Sequence, residues 1–76
     1  MTVSFDEVLV CGVRDVKFEN NIYYFVDIYQ DGMLYQISIP ETSVDYFCDL
    51  VGQNVTFHTE LKVFNGKSKF KYIKEN

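Results

Sequence analysis

The feature of this sequence that most limits its fold is a β-hairpin signal between Ile22 and Pro40. Asp31-Gly32 is the dipeptide favoured by a two-residue type I′ turn, because both central residues of that turn need a positive φ. Such a turn places Gln30 opposite Met33 and thereby fixes the register of both strands. We therefore predict an antiparallel hairpin whose register is known residue by residue.

This register assigns the hairpin side chains to two faces, since directly opposed residues share a face. One face is apolar and is predicted to be core, with the pairs Ile28 with Tyr35, Val26 with Ile37 and Tyr24 with Ile39. The other face carries three aromatic rings among polar groups, through the pairs Tyr29 with Leu34, Asp27 with Gln36, Phe25 with Ser38 and Tyr23 with Pro40. Such rings either cover a twisted sheet, lie under a loop, or form a platform on which unpaired bases stack.

The residues before the hairpin are predicted to form one long strand, from Val3 to Phe18. Gly12 interrupts its β-forming residues and predicts a bulge or a bend, which is how a sheet curls toward closure. Glu19-Asn20-Asn21 is predicted to be the turn that leads into the hairpin.

A short helix is predicted after the hairpin, because Pro40 cannot donate to a ladder and ends the third strand. Thr42 or Ser43 can cap its start, and Gly52 is suited to its end. At spacings i, i+3, i+4 and i+7 its apolar stripe consists of Val44, Phe47, Cys48 and Val51. This stripe suits a helix that covers one end of a β structure.

Two further strands follow, because the apolar period becomes two from Gln53 onward. Asn65-Gly66 is the strongest short hairpin signal in the chain. The last strand is predicted to run from Lys67 to Lys74.

In this second hairpin Lys69 is predicted to lie opposite Lys62, and Lys71 opposite Glu60. Like charges that are directly opposed across a ladder are destabilising. The face is therefore either a solvated surface with screening ions or a strip that binds phosphates. Phe64, at the tip beside the lysines, favours the strip.

The 76 residues suffice for one domain with a modest core. The net charge of −4 argues against a simple polyanion binder, whose surface is usually basic. The charge is uneven, however: residues 1–59 carry two basic and nine acidic residues, whereas residues 60–76 carry five lysines and two glutamates. Positive charge is thus concentrated in the last hairpin.

The sequence offers little for catalysis. His58 is the single histidine and is predicted to point to a polar face, and the chain has no phosphate-binding glycine loop or dinucleotide fingerprint. We therefore predict that the protein is not an enzyme and uses no cofactor or metal. Cys11 and Cys48 have no metal-ligand spacing and are predicted to be inert buried thiols. With no signal-peptide pattern and no membrane span, a cytoplasmic location is expected.

The order of elements, three strands, a short helix and two strands with a glycine-bent first strand, resembles the OB-fold, a five-stranded Greek-key barrel. The resemblance covers essentially the whole chain, so residues 1–76 are expected to form a single OB-like domain. An SH3-like small barrel is the alternative fold, and in that case the helix would shrink to a single turn.

More narrowly, the chain is similar to the small OB-fold single-stranded-DNA-binding proteins of phages and mobile elements, including the filamentous-phage type, whose barrel forms a homodimer. In these proteins rings of the central hairpin stack on bases, and basic side chains contact the backbone. The resemblance implies a sequence-tolerant binder of single-stranded DNA or RNA, with DNA favoured and a role in DNA replication. The binding positions that it implies are Arg14, Lys17, Tyr23, Phe25, Tyr29, Lys62, Phe64, Lys67, Lys69 and Lys71.

Asp27 is the one carboxylate in the middle of the aromatic face. There it would repel phosphate, so it either pairs with a nearby lysine or restricts the face to bases. The alternative function is a protein-interaction module, either a subunit adaptor or a phage-type inhibitor, that uses the same aromatic face. Salt separates the two functions, because nucleic-acid binding weakens steeply with salt and an apolar contact does not.

Overall fold

The structure is a computed structural model of the chain and describes residues 1–74. Its strands are β1 (Thr2–Phe18), β2 (Asn21–Gln30), β3 (Met33–Ile39), β4 (Asn54–Phe64) and β5 (Lys67–Tyr72). A 3-10 turn (Glu41–Ser43) and a short helix, α1 (Val44–Cys48), lie between β3 and β4. The strands form a closed barrel in the order β1-β2-β3-β5-β4. The predicted all-β, OB-like barrel with one short helix is confirmed.

The central hairpin has the predicted register. Gln30 pairs with Met33, and the pairing continues without a shift toward the other end of β3. Asp31 and Gly32 have φ values of 51° and 83°, as a type I′ turn requires. The apolar face is core, and its fully buried members are Val26, Ile28 and Ile37.

β1 is irregular at two places, and it pairs with β4 in its first half and with β2 in its second half. The pairing with β2 shifts between Val10 and Gly12, which confirms the bulge or bend predicted from the glycine. The pairing with β4 shifts around Glu7, which was not predicted, and Glu7 has a φ of 53°. The Glu7 backbone N–H donates to Thr56 Oγ1 at 3.1 Å, which fixes this second irregularity.

The helix α1 covers one end of the barrel, as predicted, and its contribution to the core is Phe47. This side chain is fully buried. Its ring centroid lies 5.6 Å from that of Phe57 and 4.9 Å from that of Tyr72, both in edge-to-face contact, a favourable geometry for aromatic pairs. The other buried apolar residues are Phe5, Val8, Val10, Val26, Ile28, Ile37, Ile39 and Phe57.

The helix itself is shorter than predicted. It ends at Cys48, and turns rather than helix lead on to Gly52, so Val51 has left the helical stripe and is exposed. Ser43 occupies the N-cap position, but its side chain makes no capping hydrogen bond. The 3-10 turn and α1 together still exceed the single turn expected of an SH3-like barrel.

The prediction that both cysteines are buried is wrong, because Cys11 and Cys48 are exposed free thiols. Cys11 is the residue left over at the bulge between Val10 and Gly12, so it falls outside the inward-facing row. Cys48 follows Phe47 by one position, which turns it about 100° around the helix axis and away from the core.

Three element bounds also differ slightly from the prediction. β1 begins at Thr2, Asn21 already belongs to β2, and β5 ends at Tyr72. Neither helical segment between residues 1 and 74 has the length and apolar character needed to cross a membrane.

Candidate functional site

One row of outward-facing residues runs across four strands of the barrel. Arg14 in β1 lies opposite Phe25 in β2, and Phe25 lies opposite Ser38 in β3. Ser38 in turn pairs with Lys71 of the parallel strand β5. Since paired residues share a face, the aromatic face of the central hairpin is continuous with the lysine-bearing face of β5.

A groove of about 580 Å³ opens between β3 and β5. The two strands pair only at Ile37 with Phe70 and at Ser38 with Lys71, and the groove lies where this short ladder stops. The hairpin side of the groove is lined by Tyr23, Phe25, Leu34, Gln36 and Ser38. The β5 side is lined by Lys67, Ser68 and Lys69.

Tyr35 and Phe70 line the inner side of the groove. Their ring centroids are 5.9 Å apart at an interplanar angle of 87°. Each ring also contacts the buried Phe5, at centroid distances of 5.3 Å for Tyr35 and 5.2 Å for Phe70. The groove therefore has an apolar floor that is held in place by the core.

The groove is positively charged even though the chain carries a net charge of −4. Lys67 and Lys69 line it, and none of the lining residues in the described part of the chain is acidic. Within residues 1–74 neither lysine forms an ion pair. Unneutralised cations beside aromatic rings are the combination that holds the phosphates and the bases of a single strand.

A second hollow, of about 440 Å³, adjoins the groove on the far side of β3. The two share Leu34, Tyr35 and Gln36, and the hollow continues to Arg14 and Asp27. Arg14 Nε lies 3.2 Å from Asp27 Oδ2. Asp27 was expected either to pair with a nearby lysine or to restrict the face to bases. Its ion-pair partner is an arginine rather than a lysine, and the restriction to bases stays a prediction.

Four of the ten predicted binding residues therefore meet in the groove, namely Tyr23, Phe25, Lys67 and Lys69. Lys17 does not join them: it pairs with Ile22, one position from the pair of Val16 with Tyr23, so it lies on the opposite face of the ladder. Tyr29 shares the face of Tyr23 and lies opposite Leu34, which lines both hollows, but Tyr29 itself lines neither of them.

The remaining predicted residues surround the groove without lining it. On the outer face of the β4–β5 ladder, Lys62 lies opposite Lys69 and Phe64 lies opposite Lys67. Lys71 lies opposite Glu60. Arg14, described above, belongs to the adjoining hollow.

Three residues that line the groove were not among the predicted site residues, namely Leu34, Gln36 and Ser38. The register of the Asp31-Gly32 turn predicts that these three side chains lie on the outer face of the hairpin. This register is the signal by which the sequence could have identified them. Their neighbours across the groove, Lys67 and Lys69, belong to a strand far away in the sequence. Only the closure of the barrel brings the two sets together.

His58 belongs to a separate cavity of about 360 Å³ that none of the predicted binding residues lines. Its Nδ1 shares a hydrogen bond of 2.7 Å with Ser4 Oγ. Over residues 1–74 no three His, Cys, Asp or Glu side chains are grouped so that they could hold a metal ion.

No protein-family model matches the chain, and comparisons with curated proteins and with solved structures found no match.

Proposed function

We propose that this protein binds single-stranded nucleic acid with little sequence preference, and DNA in preference to RNA. The observation that carries the proposal is the groove between β3 and β5, where Tyr23 and Phe25 line one surface together with Lys67 and Lys69. Stacking on an aromatic ring contributes roughly 1–3 kcal/mol per base and tolerates any base. The lysines supply the attraction to phosphate that the rest of this acidic chain lacks.

The expected salt dependence follows from the number of cations near the groove. Lys67 and Lys69 line it, and Lys62 and Lys71 lie on the neighbouring outer face. About three to five phosphate contacts predict that log K falls with log salt concentration with a slope of roughly −2 to −3.5 for a single strand.

The test is a fluorescence-anisotropy titration of labelled oligo-dT of about 20 nucleotides at three salt concentrations, repeated with oligo-rU. We expect salt-sensitive binding that weakens in Lys69→Ala. Lys74→Ala is the matched control, because it removes the same charge at a residue that lines the separate His58 cavity. Absence of binding at low salt would overturn the proposal.

A second candidate function, a protein-interaction module, is favoured by one observation. Among residues 1–74, no third strand pairs with the β1–β2 ladder beyond the pair of Asp15 with Tyr24. Phe18 and Ile22 are exposed on this end of the ladder. The partner that we propose is a second copy of the chain, so the two functions are compatible in a homodimeric nucleic-acid binder.

A cytoplasmic location and a role in the DNA replication of a phage or mobile element accompany the proposal. The proposed role rests on the resemblance in element order to small single-stranded-DNA-binding proteins, and the proposed location rests on the absence of a signal-peptide pattern and of a membrane span from the sequence.

A further inference from the structure

A carboxylate lies in the hollow that continues the proposed binding groove. Asp27 is on the outer face of β2, between Gly12 of β1 and Gln36 of β3 in the ladder registers. Its side chain is 32% exposed and lines the hollow. Because a carboxylate repels phosphate, the favourable partner for Asp27 on a nucleic acid is the edge of a base that presents N–H donors.

The neighbouring position in β1 leaves room for such a base. Apart from its chain neighbours, a Cβ atom placed on Gly12 would meet no atom of residues 1–74 within 4 Å, so open space lies beside Asp27 on this side. Gly12 is not among the residues with a positive φ, so its backbone does not require a glycine. Because Gly12 has no side chain, the outer face of the barrel has open space beside Asp27.

Arg14 orients the carboxylate without occupying all of its acceptor sites. Its Nε lies 3.2 Å from Asp27 Oδ2. An ionised carboxylate accepts about four hydrogen bonds, so Oδ1 and part of the capacity of Oδ2 stay available. Two oxygens side by side match a partner that presents two adjacent N–H groups.

Guanine is the base that offers this pattern, through N1–H and the N2 amino group on its Watson–Crick edge. Adenine and cytosine present one amino group each, and the single N–H of thymine or uracil is flanked by two carbonyl oxygens that a carboxylate repels. On the other side of Asp27, the Gln36 carboxamide carries N–H donors suited to guanine O6.

We propose that Asp27, oriented by Arg14 and flanked by Gly12 and Gln36, forms a guanine-selective subsite beside the sequence-tolerant groove. This inference rests on the proposed binding of single strands. It gives one position along the bound strand a base preference and leaves the stacking positions at Tyr23 and Phe25 indifferent to the base.

The test uses oligo-dT of about 12 nucleotides in which one central base is replaced by dG, dA or dC. A single guanine per strand avoids guanine quadruplexes. We expect the native protein to bind the dG strand about tenfold more tightly than all-dT. Asp27→Asn should abolish this preference, while its affinity for all-dT stays equal or rises because a negative charge is lost.

Asp15→Asn is the matched control, since Asp15 pairs with Tyr24 on the opposite face of the same ladder. It should keep the guanine preference. Gly12→Val is a second test that retains the Asp27 carboxylate: its side chain fills the open space and should remove the preference, with folding checked by circular dichroism.

The outcomes separate this inference from the proposed function. Equal affinity of the native protein for all four strands, or a guanine preference that survives in Asp27→Asn, overturns the guanine subsite and leaves the single-strand groove standing. Absence of binding to every strand at low salt overturns both.

Discussion

Lys62 and Lys69 lie directly opposite each other across the β4–β5 ladder, on the outer face of the barrel. Neither lysine has an ion-pair partner in the part of the chain that the structure describes. The next pair along the same face, Glu60 with Lys71, carries opposite charges. This repulsive lysine pair includes Lys69, which lines the proposed binding groove.

Replacing Lys62 by glutamate should make the barrel more stable and its binding to a single strand weaker. Lys62→Glu turns a repulsive pair into an attractive one, so we expect the free energy of unfolding to rise by roughly 0.2–1 kcal/mol. It also places a negative charge beside the groove, so the affinity for oligo-dT should fall and the salt slope should become shallower. Urea denaturation and anisotropy titrations measure the two effects.

Lys62→Gln is the control for this prediction. It removes the repulsion without adding attraction, and both effects should be intermediate. If Lys62→Glu left the affinity for oligo-dT unchanged, the bound strand would not pass near β4.

Removal of the Phe47 side chain should strongly destabilise the barrel. This residue is fully buried and forms edge-to-face contacts with Phe57 and Tyr72. We expect Phe47→Ala to lower the free energy of unfolding by about 3–5 kcal/mol, a large part of the stability of a small domain. The denaturation midpoint in urea measures the loss.

Tyr46→Ala is the matched control for Phe47→Ala, since its ring belongs to the same helix and is exposed. We expect Tyr46→Ala to lower the free energy of unfolding much less than Phe47→Ala does. Losses of similar size in the two variants would contradict the role of Phe47 as the residue through which α1 covers the end of the barrel.

Both hairpin registers could be predicted from the sequence because local turn chemistry determines them. Asp31-Gly32 and Asn65-Gly66 have positive φ values in the structure, as their residue types predict. Each turn then fixes which side chains oppose each other, including Lys62 with Lys69. The outer face of the central hairpin followed from the same reasoning.

The groove could not be predicted, because it depends on contacts between distant parts of the chain. The short parallel ladder between β3 and β5 places Gln36 and Ser38 beside Lys67 and Lys69. No local pattern marks that ladder. The irregularity at Glu7 was missed for a similar reason, since a glutamate gives no signal for a positive φ and its N–H partner, Thr56, lies in β4.

Variants of Tyr23 and Tyr29 test whether the bound strand follows the groove or the whole aromatic face of the central hairpin. They are similarly exposed, at 46% and 44%, but only Tyr23 lines the groove. We expect Tyr23→Ala to weaken oligo-dT binding by about 1–3 kcal/mol, and Tyr29→Ala to change it little. Anisotropy titrations at one salt concentration measure both variants.

The opposite order of effects for Tyr23→Ala and Tyr29→Ala would show that the strand follows the far end of the β2–β3 hairpin. Equal losses in the two variants would indicate that the whole aromatic face is used, as the sequence alone predicted.

The end of the β1–β2 ladder that lies beyond Asp15 and Tyr24 exposes apolar side chains. Phe18 and Ile22 are 63% and 52% exposed there, and the ladder register places them on opposite faces. A two-stranded ribbon is marginally stable in water unless it is covered, so we expect a second copy of the chain to pack against it. Light scattering over a concentration series should show a dimer, and the double variant Phe18→Asp with Ile22→Asp should be a monomer.

Val63→Asp is the control for this double variant, because Val63 is more exposed than either residue, at 69%, but lies near the tip of the other hairpin. It should remain a dimer. If the double variant also loses affinity for oligo-dT, although neither residue lines the groove, then dimerisation contributes to binding by offering two linked grooves to one strand. A native protein that stays monomeric throughout the series would contradict the packing of a second copy on this end.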